Sequence, residues 1–270
     1  MRKIVGLMTC ALLALSALSA RAASVEVQWL GQAAMKVTTP GGKVILIDPF
    51  LTKNPKTPAQ YKNLDALGKI DLILVTHAHG DHLGDAPALL KKHGVRMISP
   101  NGLALSLIEL GVVPAKQLLR MNKSGTVQPL GPGIKVTMVP AEHSSELSHK
   151  NPVTGKNELH IGGEAAGFII ELENGFKIWH MGDTGLFGDM KTIAQIYKPD
   201  LVMMPIGGHF TMGPSEAALA TREWIKPRYV LPMHYGTFPF LKGTPQQYQQ
   251  ALGSTSTKVF AISPGDVLSF

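Results

Sequence analysis

A chain of 270 residues with 44% apolar and 17% charged side chains can bury a sizeable core, which excludes an intrinsically disordered chain. Its 26 lysines and arginines outnumber 19 acids, a formal net charge of +7, yet they form no run that would track a nucleic-acid backbone. The one cysteine, Cys10, excludes a disulfide framework.

Residues 1–22 begin with Arg2 and Lys3, continue as an apolar stretch from Ile4 to about Leu18, and end in the small-x-small pattern Ala20-Arg21-Ala22. They are expected to be a signal peptide cut after Ala22, because the apolar stretch is shorter than the roughly 20 residues a spanning helix needs. The mature protein would then be periplasmic or secreted and free of the membrane. It would keep 23 bases against 19 acids, about +4, and no cysteine, so any metal must be held by nitrogen and oxygen.

From Ser24 the chain reads first as short strands, 25–30 (VEVQWL), 33–38 (AAMKVT) and 43–48 (KVILID), with Gly31-Gln32 and Pro40-Gly41-Gly42 as turns. A loop rich in proline and lysine, 50–62, leads to strand 71–76 (DLILVT). Next come a helix DAPALLKKHG with Asp85 near its cap and Gly94 at its end, a strand VRMIS, and a helix near 102–110. The second half repeats the style. IKVTMVP, AAGFIIEL and FKIWHM read as strands, LFGDMKTIAQIYK as helix, DLVMMPI as strand, PSEAALATREWIK as helix, and RYVLPM and KVFAI as strands. Residues 144–163 are polar and rich in turn formers, and read as a loop. Strands followed by alternating units, twice over, predict an α/β fold with two sheets face to face and helices outside, an αββα sandwich. No low-complexity linker divides 23–270, so one domain is expected.

The stretch VTHAHGDHLGD, residues 75–85, follows an apolar strand and crowds His77, His79, Asp81 and His82 into one loop. His77 and His79 are two apart, so in extended backbone their rings project from the same side, while Asp81 and His82 follow Gly80 where the chain turns. One loop can thus serve two metal ions, and a chance H-x-H-x-D-H is improbable with 10 histidines in the chain. His143, Asp183 and His234 each follow another apolar strand-like run, where a rigid sheet positions functional groups.

On this pattern the chain resembles the metallo-β-lactamase fold superfamily, with H-x-H-x-D-H followed by a lone His, a lone Asp and a last His. The segments IDP (47–49), PAEHSS (140–145), GDTGLFGDM (182–190), PIGGHFTMGP (205–214) and PMHYGTFP (232–239) resemble the branch of metal-dependent hydrolases related to L-ascorbate-6-phosphate lactonase. The resemblance implies two divalent ions. His77, His79 and His143 would bind one, Asp81, His82 and His234 the other, and Asp183 would bridge them. Imidazole and carboxylate suit Zn, and Mn, Fe and Ni also accept such donors. Water held between two such ions becomes hydroxide, its pKa falling from 15.7 toward about 7.

The expected function is an exported dinuclear hydrolase of a small-molecule ester, lactone or phosphodiester, with no nucleic-acid partner; ligand spacing fixes no oligomeric state. Asp81 is expected to orient the attacking water and relay a proton, and Asp48 to hold the ligand loops and fix a histidine tautomer. His209, flanked by glycines, is expected to face substrate as a hydrogen-bond donor, Tyr235 to be packed, and His180 to lie in the core. A periplasmic metallo-β-lactamase is the second enzymatic reading, disfavoured because those enzymes lack a bridging aspartate and many use a cysteine. A periplasmic metal-binding protein without turnover is the non-enzymatic alternative.

Overall fold

The computed structural model describes residues 24–270, so the expected signal segment lies outside the described residues. Strands β1 (Glu26–Gly31), β2 (Ala34–Thr38) and β3 (Val44–Ile47) form an antiparallel meander. After α1 (Ala59–Lys62) the pairing becomes parallel, with β4 (Leu72–Leu74) beside β3. The chain continues through α2 (Gly80–Leu83), α3 (Ala86–His93), β5 (Arg96–Pro100), α4 (Asn101–Glu109) and β6 (Leu118–Met121).

The second sheet repeats this plan. It holds β7 (Thr126–Val127) and β8 (Lys135–Pro140), and a separate hairpin follows, β9 (Glu146–Lys150) with β10 (Asn157–Ile161). Then come β11 (Ala166–Glu171), β12 (Lys177–His180), α5 (Met190–Tyr197), β13 (Leu201–Pro205) and α6 (Pro214–Leu219), which runs on as a π-helical turn, Ala220–Ile225. The last elements are β14 (Tyr229–Met233), α7 (Pro245–Leu252), β15 (Lys258–Val259) and β16 (Val267–Ser269), which returns to pair with β1. The sheet orders are β16-β1-β2-β3-β4-β5-β6 and β15-β14-β13-β12-β11-β8-β7.

Both sheets are covered on both faces, so their strands read as unbroken apolar runs. In β3, Ile45 and Ile47 meet the other sheet while Leu46 packs under the helices; in β13, Leu201 and Met203 face inward and Val202 and Met204 outward. The expected αββα sandwich is the fold found. Strands β8, β12 and β14 run in one direction, so their C-terminal ends share an edge. That edge is tied to the first sheet by Ala166 N donating to Thr76 O at 3.1 Å and His234 N donating to Gln32 O at 3.0 Å.

One local expectation is corrected. Residues 144–163 hold the β9–β10 hairpin rather than a loop, its register running Glu146 opposite Ile161 to Lys150 opposite Asn157. Asp85 is the N-cap residue of α3, as expected, though its carboxylate turns away from the helix to accept from Leu51 N, Thr52 N and Thr52 Oγ1 at 2.6–2.9 Å, pinning the loop after β3.

Candidate metal centre

The centre is assembled from strand ends. Asp48 leaves β3 with φ of 45°, in the left-handed region that non-glycine residues rarely adopt. Its fully buried carboxylate thereby turns back on the ligand loop, accepting from Thr76 N (2.8 Å), Thr76 Oγ1 (2.7 Å) and His82 Nδ1 (2.8 Å). The Thr76 hydroxyl has given its one proton to Asp48, so at 3.0 Å it accepts from His77 Nδ1–H. With Nδ1 engaged, His77 and His82 both turn Nε2 toward the centre. His79 is held the other way round. Its Nε2 meets Glu146 Oε2 on β9 at 3.1 Å, and its Nδ1 lies 3.0 Å from His77 Nε2.

All seven expected ligands come together, in two adjoining sets. His77, His79 and His143 form one; Asp81, His82, Asp183 and His234 form the other, and in each set the donor atoms lie within 4.8 Å of one another. The three rings of the histidine set stand edge to face, with interplanar angles of 76°, 83° and 79°, as three faces turned on one point. In the mixed set, His234 Nε2 lies 2.9 Å from Asp183 Oδ2 and 3.5 Å from Asp81 Oδ2. Asp183 Oδ2 also faces His143 Nε2 across 3.6 Å, so one carboxylate oxygen looks into both sets.

His82 Nε2 and Asp183 Oδ1 are 3.2 Å apart, buried, and neither makes a directed hydrogen bond. Leaving such atoms unpartnered costs about 1–3 kcal/mol each, and a divalent cation between them would satisfy both. Nitrogen and oxygen donors in this number fit a borderline ion such as Zn.

Charge follows the carboxylates. Burial alone would raise Asp183 and Asp81, but His234 and His82 beside the first, and His82 and His234 beside the second, hold both below the usual carboxylate range. Burial opposes charge on His82 and His234, yet Asp183 leads the acids that lift both; His234 is raised to about 9. Burial lowers His77 and His143, with His82 adding to the effect on His77. Positive charge on His82 and His234 thus stands in the mixed set in the place a bound cation would take.

A cleft of about 720 Å³ opens over the centre, lined among others by Lys53, Gly80, Asp81, His143, Asp183 and His234. His209 does not line it. Its exposed ring packs on Phe210 and Phe240, with centroids at 4.4 and 5.3 Å, beside a neighbouring hollow that holds Lys242 and Ser215. The left-handed φ of 64° at His209 turns the chain so that Phe210 reaches the cleft. Tyr235 packs tilted against Trp29 at 5.2 Å and 34°, and burial pushes its hydroxyl up to about 12. His180 is satisfied in the interior, donating from Nε2 to Ala33 O at 2.9 Å and accepting from Gly182 N at 3.2 Å.

Sequence reasoning missed Gln32. From the turn between β1 and β2, with φ of 53°, its Nε2 donates to Asp81 Oδ2 at 2.9 Å and lies 2.7 Å from His234 Nε2. A polar residue inside the apolar run WLGQAAM was its one visible signal. Glu146 was missed because its strand was read as loop. Gly207 shows how closely the backbones approach, since a Cβ there would meet His234 O at 2.1 Å.

A sequence model described as the beta-lactamase superfamily domain matches residues 43–235, a span that contains all seven donors. A UPF0173 metal-dependent hydrolase of Cupriavidus necator is 61% identical over 251 residues, covering 92% of this chain and 87% of its own. One from the archaeon Thermococcus onnurineus is 43% identical over 245 residues, covering 90% and 99%. Among solved structures, the metallo hydrolase Igni18 of Ignicoccus hospitalis superposes with a TM-score of 0.77 at 33% identity, covering 92% of this chain and 98% of that one. The metallo-β-lactamase fold protein YhfI of Bacillus subtilis, at 14% identity and a TM-score of 0.66, covers 92% and 100% and shares the fold. The chain belongs to the UPF0173 family of metal-dependent hydrolases, within the metallo-β-lactamase fold superfamily.

Proposed function

We propose that this protein is an exported hydrolase that holds two divalent ions, Zn first among them, and cleaves a small ester, lactone or phosphodiester. The observation that carries the reading is the pair of adjoining donor sets at the floor of a cleft, with Asp183 turned toward both. The relatives' shared description as metal-dependent hydrolases supports the reaction class.

Bound ions supply Lewis acidity, which lowers the pKa of water and polarises the scissile bond. The side chains do the rest. His77 and His82 are held by Thr76 and Asp48 with Nε2 inward, so the donors need no rearrangement. Asp81, partly open to the cleft and kept ionised by its histidine neighbours, accepts a proton from the attacking water. For an ester, the water oxygen bonds to the acyl carbon, the acyl–oxygen bond breaks, and Asp81 returns the proton to the departing alkoxide. Gln32 steadies Asp81 throughout by donating to Oδ2.

Export rests on residues 1–22 alone, and cell fractionation with N-terminal sequencing of the purified protein tests it. For the chemistry, the full chain is loaded with Zn, its metal content measured, and chromogenic phosphodiester, lactone, ester and cephalosporin substrates assayed with and without chelator. Chelator-sensitive turnover is expected on esters, lactones or phosphodiesters. Turnover confined to the cephalosporin would favour the β-lactamase reading, and none at all a metal-binding protein without catalysis.

A further inference from the structure

We propose that the substrate carries an apolar group, an aromatic ring or a medium-length acyl chain, that lies against an aromatic wall along one side of the metal cleft. This rests on the hydrolase reading and narrows its substrate class. Four of the nine phenylalanines in the chain, Phe50, Phe210, Phe238 and Phe240, line this cleft. They are continuous. Phe50 and Phe238 have centroids 6.4 Å apart, Phe238 stacks on Phe240 at 5.5 Å and 17°, and Phe210 meets Phe240 edge to face at 5.4 Å.

A wall built for the core would be buried, as Phe168 is at 0% exposure. Phe210 is 57% exposed and Phe240 41%, both at the mouth of the cleft. Adjacent exposed aromatic rings in a concave site mark a place where an apolar partner is received. The left-handed backbone at His209 holds Phe210 in this position, and strain of that kind persists where the surrounding structure fixes it.

The polar side chains exclude the opposite class. Apart from the seven donors, the polar side chains lining the cleft are Gln32, Lys53 and Ser144. Gln32 Nε2 is committed to Asp81, and Ser144 donates to Glu146 at 3.0 Å. That leaves Lys53, too few groups to read the hydroxyls of a polyol or sugar, whereas the rings offer a continuous apolar face.

Two measurements on the metal-loaded full chain decide the matter. The first is hydrolysis of p-nitrophenyl acetate, hexanoate and phenylacetate, with the leaving group held constant. kcat/KM should rise by about tenfold from acetyl to the larger acyl groups, and F210A and F240A should each cut that ratio several-fold while metal content stays the same. Both side chains lie at the surface, so the variants leave the core intact, and F240L should retain most of the preference. The second is equilibrium binding of hexanoate against acetate by calorimetry, where hexanoate should bind about fivefold or more tightly and F240A should erase the difference. Equal rates across the acyl series, with chelator-sensitive turnover intact, would overturn the wall and leave the hydrolase standing. Absence of all turnover would sink the hydrolase reading, and the calorimetry would then still judge the wall, equal affinities refuting it.

Discussion

The histidine set and the mixed set share a side-chain type and adjoin in space, His77 and His82 having ring centroids 4.0 Å apart, yet they are prepared in opposite ways. Burial keeps His77 and His143 below the ordinary imidazole value, so near neutral pH they are uncharged, each with one nitrogen free to bind an ion. His82 and His234 are buried too, but Asp48, Asp81 and Asp183 surround them and keep them charged. Carboxylate placement rather than burial therefore separates the two sets. His77 and His143 can meet an ion as neutral rings; His82 and His234 must first give up a proton.

The harshest test removes the carboxylate that faces both sets. Asp183→Ala should lower metal content from two ions to one or fewer and cut turnover by about three orders of magnitude, read by elemental analysis and initial rates. Two ions and full rate in that variant would end the bridging role. Asp48→Ala should act chiefly on the mixed set, removing the carboxylate at His82 Nδ1, with a smaller effect on His77 through Thr76. The expected cost is about 3 kcal/mol of stability and about 10–100-fold in the weaker metal affinity, measured by denaturation and competition with a chelator. An equal loss in both sets would erase the distinction.

A pH series sharpens it. In the metal-free protein His234 titrates at about 9 and is protonated below that value, whereas a ligand must be neutral. Affinity of the mixed set should thus fall as pH drops, by up to about tenfold per unit for each displaced proton, a loss to which His77 and His143, kept uncharged by burial, do not add near neutral pH. Calorimetry in two buffers of different ionisation enthalpy counts the protons. The smallest effect belongs to Glu146→Gln, where an exposed contact to His79 is weakened. Only a few-fold loss of affinity is expected, confined to the histidine set.

How much of this was legible in the sequence depended on distance along the chain. Four donors within six residues announce themselves, and His143, Asp183 and His234 could be picked out because each follows an apolar run buried on both faces. Asp48 was visible as an acid closing such a run. Gln32 was not, because its partner His234 lies 202 residues away and only the packing of two sheet edges brings them together. His209 misled for a physical reason: glycines beside a strand end suit a ligand-facing histidine, but here the unusual backbone serves to aim the next residue. The hairpin was hidden by its solvated strands, and α7 by its glutamines, with Tyr248 and Leu252 as its buried contacts. Its signal in the sequence is the capping box of Thr244 and Gln247.

Because each sheet contributes donors that the other lacks, ion occupancy reports on the whole architecture and not on one loop. Prying the layers apart would scatter the ligands, so free metal in the medium acts as a thermodynamic clamp whose strength grows with the logarithm of its concentration. If it is exported as proposed, a catalyst built this way would have its working lifetime set by the trace-element supply of its surroundings.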